Sequence, residues 1–201
     1  MAADTLPERA RALLDVWFGA PGDPLRDKHR EIWFKSTPEH DAMLREMFRA
    51  DYERAAAGEL ADWEETPESA LALVLLLDQI PRNIFRDTPR CYAADAIARA
   101  VADRAMAKGF DRRLPHQWRK FFYMPLHHSE NLADQLRMAE LAATLPLDDV
   151  PEDRRGGLRR YGVSYPEVIA RFGRFPHRNA ILGRDSTPEE LAFLARQEPE
   201  A

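Results

Sequence analysis

Thr66-Pro67-Glu68-Ser69-Ala70-Leu71-Ala72-Leu73-Val74-Leu75-Leu76-Leu77-Asp78-Gln79-Ile80-Pro81 decides the fold. A hydroxyl fit to cap a helix is followed by proline at the first helical position, where its missing N–H costs nothing. Across residues 70–80 the helix is apolar on nearly every side, so it belongs at the buried centre of the molecule. Pro81 is expected to stop it. The longest apolar run, residues 70–77, is far shorter than the ~20 residues that span a bilayer, so no membrane is expected as a partner.

Helix signals continue on both sides of this stretch. Thr5-Leu6-Pro7-Glu8 has the form of a capping box, and Leu13, Leu14, Trp17 and Phe18 form a stripe closed by Gly19. A shorter helix is expected to carry Leu25, Ile32 and Trp33. Thr37 before Pro38 opens another, bearing Leu44, Met47, Phe48 and Tyr52 as far as Gly58. At this spacing the aromatic and Met residues read as core rather than as a cofactor box.

Downstream, residues 89–108 set Ala94, Ile97, Ala98, Val101 and Ala105 at helical spacing, with Gly109 as the C-cap. Residues 115–123 make a short aromatic helix ended by Pro125. Ser129 is expected to cap a helix whose apolar side holds Leu132, Leu136, Ala139 and Ala143, up to Pro146. Residues 148–157, charged and with adjacent glycines, read as a linker. Ser164-Tyr165-Pro166-Glu167 and Ser186-Thr187-Pro188-Glu189-Glu190 open two more helices. No stretch alternates with the period of two that a sheet requires. The expectation is one all-α domain over residues 1–201, with eight or nine helices packed as an irregular bundle or as stacked antiparallel hairpins. No clean repeat of about 34 residues is present.

Composition narrows the partners. The length of 201 residues fits one domain. Cys91 is the single cysteine, which rules out an intrachain disulfide or a zinc cluster of cysteine type and fits a reducing, cytoplasmic location. Residues 1–8 hold no apolar stretch that would serve as a secretory signal. A net charge of −5 argues against nucleic acid as a partner. Arginine outnumbers lysine 25 to 4. That ratio reflects either a GC-rich genome or guanidinium forks used for bidentate recognition of carboxylates and phosphates.

Two turns share a pattern of proline, then Arg-Asn, then two apolar residues. Ile80-Pro81-Arg82-Asn83-Ile84-Phe85-Arg86 follows the central helix, and Pro176-His177-Arg178-Asn179-Ala180-Ile181 follows Phe172-Gly173-Arg174-Phe175. Proline ends helices, asparagine bonds locally, and arginine can satisfy free helix-terminal carbonyls or hold an anion. One reading makes the turns devices that seal helix ends. The other makes Arg82, Arg174, His177 and Arg178 a shared anion pocket, with Asn83 and Asn179 orienting the ligand.

His127-His128-Ser129-Glu130-Asn131 lies before a helix N-terminus, where partial positive charge favours anions. His128, Glu130 and His177 are the candidates for acid–base work; against them stands the reading of structural, hydrogen-bonded histidines. Ser129 and His128 are adjacent in sequence, and adjacent residues rarely face each other as nucleophile and base. No His pair has the spacing of a helical zinc site, so no metal is expected. Asp78 and Gln79 end the most apolar helix, and a carboxylate there calls for an arginine from the next turn. Nucleotide loops and the hydrolase elbow are absent, so no cofactor is expected.

Leu77-Asp78-Gln79-Ile80-Pro81-Arg82-Asn83-Ile84-Phe85-Arg86 closely resembles a signature of the bacterial domain of unknown function 924 family. Lys108-Gly109-Phe110-Asp111, His127-His128-Ser129-Glu130 and the long segment from Arg171-Phe172-Gly173-Arg174-Phe175-Pro176 to Gly183-Arg184 resemble it equally well. The resemblance runs from Val16-Trp17-Phe18 to Leu194. It implies an all-α fold similar to the tetratricopeptide-like superfamily, and it implies no activity. One departure stands out: the family's usual His-Arg-Asp is replaced by Tyr165-Pro166-Glu167, so a role for that histidine does not carry over.

Three functions fit these residues. The first is a helical binding module that holds a small anionic ligand or an acidic peptide through the two Arg-Asn turns. The alternative is a small hydrolase-like or acid–base enzyme built on the His/Glu/Arg cluster. The third is a scaffold in which the turns only hold helices together.

Overall fold

The computed structural model describes residues 6–145, 159–160 and 163–196, and the protein is all-α. Nine α-helices lie among the described residues: α1 (Glu8–Phe18), α2 (Pro38–Ala56), α3 (Pro67–Ile84), α4 (Asp95–Ala107), α5 (His116–His127), α6 (Leu132–Ala142), α7 (Tyr165–Phe172), α8 (Asn179–Leu182) and α9 (Pro188–Ala195). The one extended pairing among them is a two-residue antiparallel ladder, β1 (Arg159–Arg160) with β2 (Val163–Ser164). Thr5 and the linker expected at 148–157 lie outside the described residues. α1 begins after Pro7 with no side-chain cap.

The chain divides into two compact units, Met1–Arg86 with Arg90–Pro125 and Asp87–Pro89 with Leu126–Ala201. The first unit is organised by α3. Thr66 Oγ1 accepts the Ser69 N–H (3.3 Å) and Pro67 takes the first helical position, as the sequence leads one to expect. Every residue from Ser69 to Pro81 is buried. α1, α2 and α4 all pack on this helix.

Polar contacts at the helix ends show how the neighbours run. Asn83 and Arg86, at the C-terminal end of α3, donate to Asp41 in the first turn of α2 (2.7 and 2.9 Å), and Arg45 donates to Ile84 O (3.0 Å). α2 and α3 are therefore antiparallel. On the other flank Arg82 pairs with Asp95 at the start of α4 (2.9 Å). At the far end of the same pair, Arg104 forks onto Glu64 with two bonds of 2.7 Å. α3 and α4 thus form a second antiparallel hairpin, tied at both ends. The aromatic layer of α1 and α5 completes the unit, with Phe18 stacked on Trp118 at 4.2 Å.

Several local expectations are corrected. Pro81 does not stop α3, which runs on to Ile84, and Pro125 lies inside α5. The proline removes the N–H that Leu77 O would accept, yet the helix continues, and the Arg82 guanidinium turns back onto Asp78 O one residue further on. The helix foreseen over 89–108 is broken into a 3₁₀ turn (Pro89–Tyr92) and α4. Only a 3₁₀ turn, Glu31–Trp33, forms where a helix bearing Leu25 was expected, and Leu25 is exposed.

In the second unit α6 packs on α7, and Val168, Ile169 and Phe175 make a small core edged by Tyr165, Phe172 and Phe193. Asn131, not Ser129, caps α6, accepting the Ala133 N–H at 2.8 Å. The Leu132–Leu136–Ala139–Ala143 stripe faces solvent, with Leu136 52% exposed. The buried position of α6 is Gln135, whose Nε2 lies 3.2, 2.8 and 2.6 Å from the carbonyls of Leu126, His127 and Ser129. The end of α5 needs donors for its last carbonyls, and that need overrides the apolar pattern.

No helix among the described residues is long and apolar enough to cross a membrane. Leu75 has no solvent exposure. Truncating Leu75→Ala is expected to destabilise the first unit by about 2–5 kcal/mol. Urea unfolding followed by tryptophan fluorescence reports on this unit, because Trp17, Trp33, Trp63 and Trp118 all belong to it.

Candidate functional site

The expected site residues fall in both units. Arg82 and Asn83 belong to the first; Arg174, His177, Arg178 and Asn179 belong to the second, together with His128 and Glu130.

In the first unit the Arg-Asn turn is fully engaged with its own helices. Arg82 reaches Asp78 (3.3 Å) and Asp95 (2.9 Å), and its guanidinium lies over the Tyr92 ring at 5.7 Å. The Asp78–arginine pair foreseen from the sequence is therefore present. The Asn83 amide donates to Asp41, which also accepts from Ser36 (2.6 Å) and Arg86 (2.9 Å). Burial alone would raise the Asp41 carboxyl, but these donors hold it below the usual range.

The second unit gathers most of the candidates. Gly173 ends α7 in the left-handed conformation (φ 69°), which turns the chain so that Arg174 meets α9. Arg174 forks onto Glu190, Nε to Oε1 at 2.7 Å and Nη2 to Oε2 at 2.8 Å. Glu190 also caps α9 by accepting the Thr187 N–H (2.7 Å), and it accepts from the Asn179 amide (3.3 Å). The Arg174 fork, then the Thr187 N–H and Asn179, outweigh burial and hold the Glu190 carboxyl at about 2.

Asn179 next orients Arg184, accepting from its Nε at 3.0 Å. Arg184 clasps Glu130 through two parallel bonds, 2.7 and 2.9 Å, and the Phe175 N–H gives Glu130 a third donor at 2.8 Å. Burial would raise the Glu130 carboxyl, but Arg184 and this N–H keep it below the ordinary range. Arg178, buried, donates to His128 O (3.0 Å) and lies over the Phe175 ring at 4.6 Å. His127 stacks on Tyr165 at 4.2 Å, Tyr165 meets Phe175 edge-on, and the His177 ring is 5.4 Å from Phe175.

The His-His-Ser-Glu segment and the Arg-Asn turn thus form one cluster. Ser129 Oγ donates to Asp134 (2.6 Å) and accepts the Asn131 N–H (3.1 Å), the bonding of a turn. No group of His, Cys, Asp and Glu side chains suited to a metal occurs among the described residues. Sequence reasoning missed Arg184 and Glu190. Glu190 was visible only as a capping residue, and Arg184 only as the last residue of a motif.

The chain matches the family model described as bacterial protein of unknown function (DUF924) over residues 13–198. It is similar to the solved structure of the protein of unknown function ATU0120 from Agrobacterium tumefaciens. The TM-score is 0.75 at 38% identity, covering 92% of this chain and 96% of that one. No curated protein matches the chain.

The low Glu190 carboxyl links this network to pH. Its folded value lies below the ordinary 4.5, so its contribution is complete above about 4.5 and fades as pH falls toward about 2. Glu190→Gln is expected to lose about 1–3 kcal/mol at neutral pH. Urea unfolding by circular dichroism should show the gap between wild type and variant closing on acidification.

Proposed function

We propose, for a chain that belongs to the DUF924 family of bacterial proteins, that it is a helical binding module for a small anionic ligand or an acidic peptide. The ligand is held in the second unit by Arg178, His177 and His128. The observation that supports this reading is the buried Arg178 guanidinium, anchored on His128 O and over Phe175, so that it joins the segments carrying both imidazoles. Three guanidinium groups, Arg174, Arg178 and Arg184, meet two carboxylates, Glu130 and Glu190, with the exposed Asp185 acting on Arg174 from outside.

Arg174 and Asn179 serve the same site by fixing the turn through Glu190, and Arg82 and Asn83 fix their own turn through Asp95 and Asp41. The implied likeness to the tetratricopeptide-like superfamily favours a peptide-holding surface, although a fold alone does not set a function. A cytoplasmic location agrees with Cys91, which is buried, being the single cysteine of the sequence. The acid–base alternative has less support, because Glu130 is bonded to Arg184 and to the Phe175 N–H.

A thermal-shift screen of anions and acidic peptides is expected to give a hit on the wild type. His177→Ala and Arg178→Lys should each bind that hit at least about tenfold more weakly. Equal stabilisation of all three proteins would remove both residues from the site.

A further inference from the structure

The Glu130 carboxylate accepts from Arg184 and from the Phe175 N–H, and Arg184 has further partners besides it. Arg184 Nη1 and Nη2 present the parallel pair of N–H bonds that matches a planar carboxylate, and the Phe175 N–H adds a third. Of these further bonds, its Nε donates to Asn179 Oδ1 (3.0 Å) and its Nη2 to Phe175 O (3.2 Å). Its backbone N–H is bonded to Asn179 O (2.9 Å). Asn179 is held in turn by Ser186 (3.0 Å) and Glu190. All the donors thus come from residues 175–184, while Glu130 arrives from the turn between α5 and α6.

Occupant and cradle are also reachable. The Arg184 and Glu130 side chains keep 25% and 27% of their exposure, so water and solutes approach the pair. Two further acceptors, Asn179 Oδ1 and Phe175 O, hold the Arg184 guanidinium in one orientation. A preset cradle requires such fixing.

The geometry points to a carboxylate-binding cradle made by Arg184 and the Phe175 N–H, which Glu130 fills as an internal ligand until an external carboxylate displaces it. The cradle deepens the binding reading above and rests on it. The ligand class is a carboxylate, either a small organic acid or the free end or acidic side chain of a peptide. The internal occupant reduces the apparent affinity to the intrinsic affinity multiplied by the fraction of time the cradle is empty.

The test is calorimetric titration of the full chain at fixed ionic strength with succinate, with acetyl-trialanine bearing a free C-terminus, and with the same peptide amidated. Glu130→Ala is expected to bind at least one of the two carboxylates about tenfold or more tightly than wild type does. The gain should vanish in Glu130→Ala/Arg184→Gln and be absent for the amide. Succinate binding more tightly than the peptide would mark a small acid as the natural class, and the reverse order a chain terminus. A folded Glu130→Ala that binds no better, or a gain that survives loss of Arg184, overturns the cradle. Should Glu130→Ala not fold, the Phe175 amide resonance of ¹⁵N-labelled wild type decides: it moves with saturating succinate or with the free-C-terminus peptide, or the proposal fails. A hit dependent on Arg178 alongside an unresponsive Glu130→Ala would keep the binding reading and remove only the cradle. A gain in Glu130→Ala that Arg178→Lys leaves untouched would do the opposite.

Discussion

A helix with no polar side constrains everything placed around it. α3 must be covered on all flanks, and its covering must also answer the polar groups at its C-terminal end. Asp78 has no exposure at all, and a lone carboxylate in that position would be untenable. Gln79 and Arg82 meet it, Asp95 balances Arg82, and Asp41 gathers Asn83 and Arg86. Apolar burial drives the neighbours onto α3 without regard to direction. The polar contacts at the ends then join the first turn of α2 and the start of α4 to the C-terminal end of α3.

Much of this was legible because it is local. The cap at Thr66, the boxes at Ser164 and Thr187, and the pairing of Asp78 with an arginine one turn later all follow from short-range geometry. What could not be read depends on distant donors. Pro81 and Pro125 look like terminators, yet both helices run past them, and the end of α5 is fixed by Gln135 taking up its last carbonyls. The Leu132–Leu136 stripe looks like core until Gln135 is seen to be required inside. Glu130 and Arg184, 54 residues apart, share no pattern that a periodicity argument can detect.

The excess of arginine over lysine, ambiguous as composition, becomes specific at particular positions. Arg104, Arg174 and Arg184 each direct two or three nitrogens at different acceptors. A lysine ammonium offers one point of charge and cannot hold such a fork in a plane. Arg178 shows another use, combining a carbonyl bond with contact over an aromatic ring. At these places the guanidinium shape, more than its charge, is what the structure employs.

Glu190 begins α9 and at the same time anchors Arg174 and Asn179. Its two oxygens accept four N–H bonds from three residues in separate parts of the turn, and that reach depends on the length of the side chain. Aspartate would give up either the helix start or the fork, and glutamine would set an N–H against an N–H. Drift at this position is thus tied to positions 174, 179 and 187 together. A lineage that altered one of the four would have to rebuild the corner as a whole.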